Sequence, residues 1–187
     1  MKNKMILGLA LVLTLLGWPT LTYAEENNEV RSYKVQLHDA LDRAAFLTAY
    51  QKACPTYPVE KTSEPRDSGD YQTTMSPVGE KEALVINSNG EGRIANIILL
   101  HQGKVTAEEQ KAMYAIYSGI LDALGYDQTA NHEVKYEQSF SELDITTEEP
   151  LASRFTREDL GRIYTFYKSY NPQRDVTMIL IEAVIDK

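Results

Sequence analysis

The chain has 187 residues, 43% of them hydrophobic and 25% charged, with 27 acidic against 19 basic side chains and a net charge of −8. A surface this acidic repels nucleic acid and anionic lipid and excludes both as partners, while basic proteins and divalent cations stay admissible. One cysteine, Cys54, allows no internal disulfide, so a packed core has to hold the fold.

Lys2 and Lys4 precede the apolar run Met5–Leu16, interrupted only by Gly8 and Thr14. Trp18-Pro19 breaks that run, and Thr22 and Ala24 stand at −3 and −1 of a cleavage site. The pattern predicts a secretory signal peptide over 1–24. A run of twelve residues falls short of the about 20 that span a bilayer, which counts against an uncleaved anchor. No cysteine follows the site, so no lipid anchor is expected there, and nothing later in the sequence is apolar enough to span. Two of the 19 basic residues leave with 1–24 and none of the 27 acidic ones do, so the charge of 25–187 becomes −10. The expected location is the periplasm or the extracellular medium. The remaining residues suffice for one domain that buries about 70% of its unfolded surface.

Glu25 to Val30 reads as a polar, loose start. Leu37, Ala40, Leu41, Ala44, Leu47, Tyr50 and Cys54 recur at spacings of three and four, which predicts a helix over His38–Cys54, stopped by Pro55 and Pro58. Glu60–Asp70 is a loop by composition. Strands are expected at Tyr71–Ser76, Glu82–Asn87 and Arg93–His101. A second helix starts from a capping box, Thr106 with Glu109, carries the stripe Met113, Ile116, Tyr117, Ile120 and Leu124, and ends at Gly125. A weaker helix over Ala130–Leu143 has Val134 and Phe140 as anchors. Ile145–Pro150 is an acidic loop, and Thr156–Asp159 suits a single helical turn. Arg162–Tyr170 and Val176–Ile185 close the chain as a hairpin around Asn171-Pro172. The order α-β-β-β-α-(α)-β-β implies an α+β two-layer domain, a mostly antiparallel sheet of about five strands with two to three helices.

Gly90-Glu91-Gly92-Arg93-Ile94-Ala95 matches the dinucleotide pattern G-x-G-x-x-A, but that pattern needs a helix after it and Ile94–Leu100 has strand character. Asn89-Gly90 between strands predicts a type I′ hairpin, with Gly92 as a bulge, so no cofactor is expected. Asp127, Thr129, Asn131 and Glu133 have the alternating oxygens of a calcium loop. His132 and Gln138 stand where that loop needs glycine and glutamate, so no calcium is expected. His38, His101 and His132 have no zinc-ligand spacing, and His101 reads as a loop-facing side chain. No G-x-S-x-G serine occurs. Glu108/Glu109 and Glu148/Glu149 read as helix capping and solvated loop. Cys54 reads as a small buried hydrophobe, the alternative being a reactive thiol. These readings assign no catalytic residue and no metal.

Alternation puts Tyr164, Phe166, Lys168 and Tyr170 on one face of a strand, as packing or as a contact surface. Two strands are apolar on both faces: Arg93–His101 and Val176–Ile185. A two-layer domain covers one sheet face with helices, so something must cover the other. That cover is the weak helix, a second copy of the chain, a protein segment or a small apolar ligand. The sequence therefore favours an exported, non-catalytic binding domain that uses a sheet face. The competing reading is a small hydrolase assembled from distant residues such as His101, Asp70 and Asn87.

Overall fold

Alternating and doubly apolar segments account for most of the molecule, and they pair into one antiparallel sheet. The computed structural model describes residues 32–125, 132–157 and 161–186. Its strands are β1 (Ser32–Val35), β2 (Arg66–Ser68), β3 (Tyr71–Pro77), β4 (Glu82–Ser88), β5 (Ile94–Gln102), β6 (Leu151–Arg157), β7 (Arg162–Asn171) and β8 (Val176–Asp186). Its helices are α1 (Arg43–Ala53), α2 (Gln110–Ala123) and α3 (His132–Glu142). The sheet runs β2-β3-β4-β5-β8-β7-β6, with β1 also paired to β8. The α+β class is as expected, but the sheet has eight strands where about five were foreseen.

β8 joins the two halves. Its first part pairs with β5 (Ile97 opposite Ile181) and its last part with β1 (Val35 opposite Ala183), while β7 lines its other side. β1 lies in line with β5, and just past it the Leu37 amide donates to the Ile94 carbonyl at 2.9 Å.

All three helices pack on one face. Phe46, Tyr50 and Cys54 of α1 and its cap, Met113, Ile116, Tyr117 and Ile120 of α2, and Tyr136 and Phe140 of α3 share one core with Leu84, Ile86, Ile97, Leu99, Phe166, Ile179 and Ile181. The weak helix thus joins this core, and no described helix packs on the opposite face. Tyr117 anchors α3 with a 5.2 Å ring contact to Phe140 and a 2.8 Å bond between its hydroxyl and that of Ser139. α1 and α2 approach closely at Gly119, where an added Cβ would stand 2.6 Å from the Cys54 Cβ.

Several local expectations change. α1 begins at Arg43, capped by Asp42, whose carboxylate accepts from the Ala45 amide at 2.8 Å. The α2 box forms as expected, with Glu109 accepting from the Thr106 amide at 2.9 Å. The β4–β5 turn is a hairpin but not type I′: only Gly92 has positive φ, at 76°, and its amide donates to the Asn89 carbonyl at 2.9 Å. Asn89 Oδ1 accepts from the amides of Glu91 and Arg93, which spreads the turn over four residues. Part of the Glu60–Asp70 loop is strand β2. Thr156 and Arg157 continue β6 instead of starting a helix, and 158–160 lie outside the described residues. So do the expected calcium-type oxygens of Asp127, Thr129 and Asn131, and the side chain of Glu133.

Candidate binding face

Because strand side chains alternate, the register alone fixes what the helix-free face carries. Two apolar rows cross it. One runs Met75, Val85, Ile98, Leu180 and Tyr167 from β3 to β7; the next runs Pro77, Ala83, Leu100 and Met178 from β3 to β8. Met75, Ala83, Val85, Ile98, Leu100 and Val176 form a second core cluster, with Met178 and Leu180 packed against it. No side chain of the three helices belongs to it.

A polar row borders the band. Thr73 opposes Asn87, and Asn87 opposes Asn96; continuing the β5–β8 register by one residue brings Glu182 next, with Thr165 and Arg154 beyond. These groups bond mainly to one another. The Thr73 hydroxyl donates to Asn87 Oδ1 at 2.7 Å, and Asn87 Nδ2 donates to Asn96 Oδ1 at 2.7 Å. The Lys34 ammonium donates to Glu182 Oε1 at 2.8 Å. The Thr165 hydroxyl, on a residue 2% exposed, has no partner among the described residues.

The four aromatic-strand residues do share a face, but it is the helix-covered one. Tyr164 is buried with its hydroxyl on the Leu37 carbonyl at 2.8 Å, and Phe166 packs edge-on to Tyr117 at 5.2 Å. Lys168 is also buried; its ammonium donates to Thr147 Oγ1 at 2.9 Å and to the carbonyls of Thr147 and Glu149, and burial lowers its pKa. These three therefore offer no surface to a partner. Tyr170 stays partly exposed, with its hydroxyl on Asp175 at 2.8 Å and Lys104 over its ring. The structure instead brings together residues that the strand-by-strand reading named only on β5 and β8. Ala83 and Val85 lie within the apolar run Ala83–Ile86, and that two-faced run was the signal for them.

The residues of the catalytic alternative do not meet. Asn87 lies on the helix-free face, Asp70 is exposed in the β2–β3 turn, and His101 is buried on the helix side. His101 does not face a loop. Its Nδ1 donates to Glu82 Oε1 at 2.9 Å, and its Nε2 lies 3.7 Å from Glu109 Oε2. Glu109 also takes the Lys81 ammonium, and that contact, with the Thr106 bonds, holds its carboxyl down at about 2. The cluster ties the ends of β4 and β5 to the start of α2. Cys54 is buried, its thiol on the Ala115 carbonyl, and burial pushes its pKa up, against the requirement of a nucleophile. Among the described residues no group of His, Cys, Asp and Glu is placed to hold a metal, and no helix is long and apolar enough to cross a membrane. Comparison with protein-family models, with curated proteins and with solved structures gave no match to this chain.

Proposed function

We propose that this is an exported, non-catalytic binding domain whose mature form, 25–187, presents the β3–β4–β5–β8 face to an apolar protein segment or ligand, a second copy of the chain included. The observation that carries this reading is the continuous pair of apolar rows on the face that none of the three helices covers. Each Val, Ile, Leu or Met left wet there forfeits about 1.5–3 kcal/mol. Residues 25–31, EENNEVR, are too polar to supply a cover after cleavage. A fully buried imidazole held by Glu82 has no route to a substrate, so His101 favours structure over catalysis.

The test uses the mature chain. It should light a hydrophobic dye as a native monomer or scatter light as a dimer, and Leu180→Lys should abolish either behaviour. A dark monomer sinks the proposal. The exported product, lacking Trp18, should emit as tyrosine alone; indole emission from it would overturn the export reading.

A further inference from the structure

Resting on that reading, we propose that before cleavage the apolar band is occupied by the chain's own segment Met5–Leu16, so that the leader masks the binding face and its removal opens it. The band is withdrawn from solvent in the full chain: Ala83 is 0% exposed, Val85 1%, and Ile98 and Leu100 2% each. Yet every described helix contributes its side chains to the other core. Outside the described residues the chain offers few covers. Glu25–Arg31, 126–131, 158–160 and Lys187 are polar or short, and Met5–Leu16 (MILGLALVLTLL) alone is apolar throughout most of its length.

The dimensions agree. Twelve residues wound as a helix measure about 18 Å by about 10 Å. The longer row spans four strand spacings from β3 to β7, about 19 Å, and two rows of alternate residues are about 7 Å apart between side-chain lines. A helix also satisfies its own backbone, which suits a face whose Thr73, Asn87 and Asn96 already bond to one another. The connection is long enough. The chain enters the sheet at Ser32, opposite Asp186 on β8, the strand that carries Met178 and Leu180. Residues 17–31 can reach about 50 Å when extended, more than the width of the face.

Trp18, the only tryptophan, adjoins the segment and reports on it. In the full 187-residue chain, refolded without detergent, its emission should be blue-shifted and shielded from acrylamide. Leu180→Asp and Met178→Asp, at partly buried positions, should return it to the red, solvent-exposed position. Leu11→Asp should do the same while leaving 25–187 untouched, so an unfolded domain cannot mimic the result. Emission that is the same in the unsubstituted chain and all three variants overturns the proposal. The dye separates the two readings: a bright mature chain beside an equally bright full chain defeats the leader's docking alone, whereas a mature chain that is both dark and monomeric by light scattering defeats the binding face as well.

Discussion

Gly119→Ala is a sharp probe of how α1 and α2 are fixed over the sheet. The new Cβ would stand 2.6 Å from the Cys54 Cβ, 3.3 Å from its Sγ and 3.4 Å from Tyr50 Cε2. The first of these neighbours cannot swing aside, because it is bonded directly to the backbone at the end of α1. Relief requires α1 to retreat, and overpacking of this kind costs about 1–3 kcal/mol. Alanine in place of a helical glycine returns about 1 kcal/mol of propensity. The expected balance is a loss of up to about 2 kcal/mol, with Tm falling by about 2–4 °C per kcal/mol for a domain of this size. Urea unfolding of the mature chain, followed by circular dichroism, measures it as a lower midpoint at constant slope. Adding Cys54→Ala should relieve little, since it removes the Sγ contact and keeps the Cβ contact. A Gly119→Ala variant that is more stable by about 1 kcal/mol, as at an uncrowded helix position, would refute the close approach.

Two further outcomes follow from the charged cluster beside α2. Glu109 is held at about 2 against an ordinary 4.5, so the stabilisation its contacts give is full above pH 4.5 and is lost as pH falls through 2; Lys81→Met should flatten that part of the acid-unfolding curve. His101→Leu should cost about 3 kcal/mol by stranding the buried Glu82 carboxylate, and Glu82→Leu added to it should restore much of the loss; additive losses in that double-mutant cycle would refute the pairing.

Much of the fold could be read from local pattern. The α2 capping box, the β4, β5, β7 and β8 strands and the closing hairpin all have short-range signatures, and each formed. β1, β2 and β6 do not. Their segments are short or polar, and they become strands because the register of β8, β3 and β7 offers unpaired edges, which is information from elsewhere in the chain. The β4–β5 turn shows a similar limit: Asn89-Gly90 suggested a two-residue turn, but the Asn89 side chain bonds two amides further on and moves the positive φ to Gly92. Alternation correctly put Tyr164, Phe166, Lys168 and Tyr170 on one face, yet could not say which face the helices would take. That choice depends on α2 and α3 landing together, through Tyr117, Phe140 and Phe166. The apolar band was legible strand by strand as two-faced hydrophobicity, while its continuity needed the strand order.

The place of β8 has a consequence for when this chain can fold. Among the described strands β8 is the only bridge between the β2–β5 and β6–β7 halves, and it is also the partner of β1. The Lys34–Glu182 contact closes a loop of 148 residues. Until Val176–Asp186 is available, β1 has no neighbour and β5 and β7 each present an open edge. Contacts of such long range form late and slowly. The sheet therefore cannot be completed until residues 176–186 have left the ribosome, however early the β3–β4–β5 hairpins form. Deletion of residues 178–187, most of β8, should therefore abolish the fold instead of fraying one edge of it.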